Sequence, residues 1–183
     1  MSETIKYEGT IIRVVKKVTP SGKQLETAVR PPGTRVLIHD SGKDQILLTH
    51  EIRLDIGDDF RLPGGKVRDT NSDWDKIKNS PRLDSEIITA GLKESREECG
   101  YELLNPKVFT VSTSGGPTVK WDLYFIVATE FTNLGHQELE ADEKITMQWY
   151  PVSEVIELCL TGKIQEGRSV AAILHYLHSV GKI

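Results

Sequence analysis

The chain is poor in cysteine, in aromatic residues and in net positive charge. Only two cysteines, Cys99 and Cys159, occur among 183 residues. No metal-type spacing surrounds either, so two free thiols in a reducing compartment, the cytoplasm, are expected. No apolar run reaches the length of a membrane span, and the opening segment MSETIKYEGT lacks the apolar stretch of a secretory signal. Lysine and arginine total 23 against 27 acidic residues, for a formal charge of −4. Without a basic stripe, general nucleic-acid binding is not expected. Small phosphate-bearing substrates stay within reach, because a bound divalent metal supplies the missing positive charge. Repeats and low-complexity tracts are absent. The length suits one domain, residues 1–183, with a sizeable core.

What is present reads as strands around one strong helix. Residues 7–29 alternate roughly, carrying Ile11, Ile12, Val14 and Val15 and then a Pro20–Gly22 turn, so a hairpin or meander is expected within an N-terminal β-rich segment of about residues 1–33. Thr34–His39 and Gln45–His50 read as two strands joined by Asp40-Ser41-Gly42. Glu51–Arg53 extends the second strand into a loop at residues 55–59. Leu62-Pro63-Gly64-Gly65 is a tight glycine turn. A polar stretch follows, about residues 67–84, predicted as a surface loop in which Trp74 is an anchor.

Ser85–Cys99 predicts a helix. Steps of 100° place Ile88, Leu92, Ser95 and Cys99 on one stripe, with Asp84 or Ser85 as the cap and Gly100 closing the end. Strands are then expected over residues 108–111, 121–128 and 145–150, and helices from Pro151 to Leu160 and from Arg168 to Val180. This order predicts an α+β class, an α/β/α sandwich around a mixed β-sheet rather than a doubly wound parallel sheet.

Glu94, Glu97 and Glu98 stand at i, i+3 and i+4 on the predicted helix, on the side away from the apolar stripe. Like charges at this spacing repel by roughly 0.2–0.5 kcal/mol per pair in an isolated helix. The repulsion is relieved if a cation sits among them, and hard divalent ions such as Mg²⁺ take oxygen ligands. Any surface helix also tolerates such a charged face. Ala90 and Gly91 leave room for a close neighbour, and the Gly64-Gly65 turn, whose backbone carbonyls can complete a metal shell, is a candidate. The five histidines show no ligand spacing on a shared face and read as structural.

Leu62-Pro63-Gly64-Gly65-Lys66 together with Lys93-Glu94-Ser95-Arg96-Glu97-Glu98-Cys99-Gly100-Tyr101 resembles the Nudix box, G-x5-E-x7-R-E-U-x-E-E-x-G-U with U apolar. The resemblance implies a Nudix-type sandwich and Mg²⁺-dependent hydrolysis, with Mn²⁺ as a substitute ion, of a nucleoside diphosphate linked to another group. The family's metal-binding glutamates fall on Glu94, Glu97 and Glu98, and a carbonyl at Gly64 joins them. Three positions depart from the pattern. The box is split by 14 extra residues between Gly65 and Ser85, where the family has its first glutamate; Lys93 replaces arginine; and Ser95 replaces an apolar residue.

The rest of the chain resembles the ADP-ribose pyrophosphatase branch. Glu51-Ile52-Arg53 is similar to its aromatic-Arg strand end, Pro117 to its loop proline, and Ser112–Gly116 loosely to its serine-proline-glycine loop. Glu140–Ile145 is similar to the acidic loop that supplies a catalytic glutamate, with Glu143 as the best match and Glu140 or Glu138 as substitutes. The resemblance therefore implies Glu143 and Glu97 as catalytic residues, and Arg53, Gly65 and Gly116 as substrate contacts. It also implies a homodimer whose N-terminal strands help form the adenosine pocket. ADP-ribose, cleaved to AMP and ribose 5-phosphate, is the expected substrate. A UDP-sugar, a dinucleoside polyphosphate or a non-catalytic nucleotide-binding module are the alternatives.

Overall fold

A computed structural model describes residues 2–53, 57–113, 116, 118–139, 141 and 143–183. The chain opens with three strands, β1 (Ser2–Glu8), β2 (Arg13–Val18) and β3 (Gln24–Val29), paired in sequence as antiparallel neighbours. Next come β4 (Gly33–Asp40), β5 (Gln45–Arg53) and β6 (Gly57–Arg61), then α1 (Asn71–Ile77) and α2 (Leu83–Cys99). The second half holds β7 (Tyr101–Leu103), β8 (Lys107–Ser112), β9 (Val119–Lys120), β10 (Leu123–Ala128), β11 (Phe131–Asn133) and β12 (Ile145–Pro151), closing with α3 (Val152–Leu160) and α4 (Gly167–Ser179).

The central sheet has the order β12-β5-β4-β10-β8, with β6 on β5; β10 runs parallel to β4 and the other pairs are antiparallel. Its two faces are covered by different helices because strand side chains alternate. Leu37, Leu123, Phe125 and Val127 face a core built with Val155, Ile173 and Leu177 of α3 and α4. Val36, Ile38, Ile126 and Ala128 face Ile87, Ala90 and Cys99 of α2. The expected mixed α/β/α sandwich is therefore the observed fold. Both cysteines are free and buried, one in each core. No described helix is long and apolar enough to cross a membrane.

Some local expectations are corrected. The polar stretch after the glycine turn is not a loop throughout. Thr70 caps α1 by accepting the Asp73 N–H at 3.1 Å, and buried Asn71 donates to the Ile11 and Val29 carbonyls at 2.9 and 3.3 Å. Arg13 pairs with Asp75 at 2.7 Å, so the insertion is tied to the N-terminal sheet by contacts that no local periodicity reveals. Trp74 packs against the α2-side core, as an anchor. Asp58 and Asp59 suggested a loop but lie in β6, where Asp59 is buried beside Arg61 at 2.8 Å.

Helix α2 starts at Leu83 with no side-chain cap, and Asp84 and Glu86 instead meet the positive end of its dipole from the first turn. Gly100 ends it in the left-handed region at φ 68°, as its type predicts. The buried face of α2 is Ile87, Ala90, Gly91, Ser95, Glu98 and Cys99, rotated from the expected stripe, since Ile88 and Leu92 are only half-buried. The rotation follows from Gly91: a Cβ there would lie 2.3 Å from Ile126 Cδ1 and 3.2 Å from Val36 Cγ2, so α2 seats directly on the sheet at this residue. Gly91→Val is expected to destabilise the fold by about 1–3 kcal/mol through overpacking, which urea unfolding would measure.

Candidate functional site

Side chains one helical turn apart share a face, and α2 uses this to point Glu94 and Glu98 towards the turn that follows β6. Leu62 anchors that turn in the core at 0% exposure. Gly64 sits at φ 148°, and a Cβ on it would lie 2.2 Å from the Thr34 carbonyl oxygen, so only glycine fits. The Gly64 N–H donates to Glu98 Oε2 at 2.8 Å. At Gly65 a Cβ would lie 2.3 Å from Glu94 Oε1. The turn thus lies directly on two carboxylates. Around it opens a cavity of about 550 Å³ lined by residues of β5, β6, the turn, the insertion, α2 and the segment before β12.

Arg53, Gly64, Gly65, Glu94, Glu97, Glu98 and Glu143, expected from sequence to share a site, all line this cavity. Gly116 does not: it is exposed, and nothing lies within 4 Å of the place its Cβ would take. Glu138 is exposed, with its carboxylate 3.4 Å from His136, and does not line the cavity either. Asp55, Ser114, Gly115, Pro117, Glu140 and Asp142 lie outside the described residues. The Gly64 carbonyl, read as a metal ligand, accepts a hydrogen bond from Arg35 Nη1 at 2.8 Å. A guanidinium there is a like charge to any metal ion, so the carboxylates are the better donors.

The glutamates were expected on the side of the helix away from the apolar stripe, yet Glu98 is only 8% exposed and Glu94 half-buried. Burial pushes the Glu94 carboxyl up to about 7, against the pull of Lys93, with Glu97 and Glu143 adding repulsion. Burial likewise pushes Glu98 up to about 8, opposed by the Gly64 N–H and reinforced by Glu94 and Glu143. A divalent cation would relieve this strain between neighbouring anions. Among the described residues no three or more His, Cys, Asp or Glu side chains form a ready cage. Mg²⁺ does not require one, since it commonly keeps waters and takes one or two carboxylates plus substrate phosphates. The donor set fits such an ion.

Positive charge lines the cavity as well, at Arg53 and Arg61. Arg53 lies 3.5 Å from Glu51, and Arg61 pairs with Asp59. The two departures on α2 have local reasons. Ser95 is fully buried but its hydroxyl donates to the Tyr101 carbonyl at 2.9 Å, so an apolar position accepts it. Lys93 pairs with Glu97 at 3.0 Å, and both line the cavity. Arg61, Glu51 and Arg35 were missed from sequence. Arg35 carried a usable signal, a charge inside the apolar run Thr34–His39, whereas Glu51 and Arg61 reach the site only through the pairing of β5 with β6.

An acid whose carboxyl is pushed up in the folded state holds its proton more tightly there than in the unfolded chain. In the metal-free protein, unfolding free energy is therefore expected to fall as pH rises from the ordinary glutamate range through about 7 and 8, where Glu94 and Glu98 ionise. Urea unfolding in EDTA across this range checks it. Glu98→Gln should flatten the slope, and a stability that rises with pH would contradict the assignment.

The chain is similar in fold to a solved crystal structure of an ADP compounds hydrolase, with a TM-score of 0.65 over 100% of this chain and 98% of that one, at 16% sequence identity. No family model matches the sequence, and no curated protein matches it. At this identity the likeness establishes the fold.

Proposed function

We propose that the protein is a Nudix-type pyrophosphohydrolase that uses a divalent cation, Mg²⁺ or Mn²⁺, to cleave the diphosphate of a nucleoside diphosphate sugar, ADP-ribose above all. The observation that carries this reading is the convergence of Glu94, Glu97, Glu98 and Glu143 with the Gly64-Gly65 turn on one cavity that also presents Arg53 and Arg61. The fold likeness to an ADP compounds hydrolase supports it. Glu94, Glu97 and Glu98 would hold the cation, which supplies positive charge to the diphosphate and acidifies water.

The protein's own groups account for the rest. Arg53 and Arg61 orient the phosphate oxygens by charge-assisted hydrogen bonds. Glu143 accepts the proton of the attacking water, a role that requires hydrogen-bond reach of that water. The water oxygen bonds to phosphorus, the bridging P–O bond breaks, and AMP and ribose 5-phosphate leave when ADP-ribose is the substrate. A homodimer forms part of the same reading: Ile5, Tyr7 and Ile12 of the N-terminal segment are exposed and would be covered by a second copy.

A chromatographic product assay with Mg²⁺ over ADP-ribose, UDP-glucose, diadenosine polyphosphates and nucleoside triphosphates tests the proposal. AMP plus ribose 5-phosphate, abolished by EDTA, is the expected result; turnover that survives EDTA, or none on any substrate, would refute it. Glu143→Gln is expected to lower kcat by roughly 10²–10⁴-fold, as loss of a general base does, with cation affinity unchanged in calorimetry. Glu97→Gln is expected to abolish turnover in a protein that still folds.

A further inference from the structure

An arginine in the middle of a sheet is costly to bury unless every donor has a purpose. Arg35 occupies such a place on β4, is 6% exposed, and is followed by Val36, Leu37 and Ile38. Its backbone pairs with Phe125 of β10, so an apolar side chain would satisfy the sheet at this position. Its guanidinium instead divides between two distant elements. Nε donates to Glu166 Oε2 at 2.9 Å, at the start of α4, and Nη1 donates to the Gly64 carbonyl at 2.8 Å and to the Thr34 carbonyl at 3.1 Å. Glu166 is fixed in turn by the Ser169 hydroxyl, which donates to the same Oε2 at 2.7 Å.

The peptide units on either side of Gly64 are therefore held from opposite directions. The carbonyl is bound by Arg35 and the N–H by Glu98, while the flanking carbonyls of Pro63 and Gly65 accept from Val36 N and Thr34 N at 2.8 and 2.9 Å. Arg35 itself does not line the cavity. We propose that Arg35, braced by Glu166, is a positioning residue that fixes the Gly64 turn and through it holds the Glu98 carboxylate in the geometry that binds the cation. This rests on the proposed cation site. It adds to that site a support drawn from the opposite face of the sheet, where α4 begins. The planar fork of arginine matters because it spans two acceptors at once; a lysine ammonium lacks that fixed geometry.

The test compares wild type with Arg35→Lys and with the double variant Arg35→Met/Glu166→Leu, which removes the Arg35–Glu166 pair as a unit and leaves Arg168, 3.8 Å from Glu166, with its bond to the Trp121 carbonyl. Leu177→Ala, in the α4 core, serves as a control for lost stability alone. Two readouts are taken: Mn²⁺ binding by calorimetry and amide exchange of Gly64 by NMR. Arg35→Lys and the double variant are expected to weaken Mn²⁺ binding by about 10–100-fold, the usual cost of losing a group that orients a metal ligand. Gly64 exchange should accelerate by about tenfold or more as the turn is released. Leu177→Ala should leave Mn²⁺ affinity unchanged. Wild-type Mn²⁺ affinity in either Arg35 variant, or a Gly64 amide that stays protected in Arg35→Lys, would overturn the proposal. If Arg35→Met/Glu166→Leu fails to fold, Arg35→Lys decides alone. Failure of the wild type itself to bind Mn²⁺ would instead refute the cation site, and the Arg35 assignment with it.

Discussion

Close approach of backbone to carboxylate is the constraint from which the site follows. The Gly64-Gly65 turn touches α2 through Glu94 and Glu98: backbone leaves no space for a side chain at Gly64, and at Gly65 a side chain would have to push the Glu94 carboxylate aside. On the other side of α2, Gly91 lets the helix settle against Val36 and Ile126. These contacts bring turn, sheet and helix together so tightly that two of three adjacent glutamates leave water. Their repulsion and burial are unfavourable for the bare protein, and the proposed cation would offset that cost.

The sandwich supplies rigidity where the chemistry needs it. α2 is packed on one sheet face and α3 and α4 on the other, so Glu94, Glu97 and Glu98 on α2 and Arg61 on β6 reach the cavity from elements that are already fixed. Sites carried on such elements hold geometry better than sites on loops. The insertion is a partial exception. Its α1 is short, but Asn71 and Asp75 fasten it to the N-terminal sheet, and Arg68 and Asp69 from it line the cavity. Sequence length added at this point has become part of the wall instead of a free excursion.

Legibility differed from element to element for physical reasons. β10 was readable as a continuous apolar, β-favouring run, and long helices such as α2 and α4 because burial imposes a period over many residues. β6 and α1 were not, because five and seven residues carry no usable period and their acidic or polar composition suits loops equally well. For α2 the element was readable but its rotation was not. Ile88 and Leu92 are more apolar than Gly91 or Glu98, so hydropathy alone favours the wrong stripe; steric fit against Ile126 chose the other one.

The identities of the chemical groups were determined by sequence alone: three glutamates at helical spacing, a double-glycine turn, an arginine at a strand end and a glutamate before a late strand. Local covalent geometry and helical repeat are sufficient to put Glu94 and Glu98 on one face. Tertiary structure decided which way that face points, that Glu143 joins it across more than forty residues, that Gly116 stays outside, and that the Gly64 carbonyl is held by Arg35. Those outcomes depend on packing and charge between elements distant in the chain, and no local pattern encodes them.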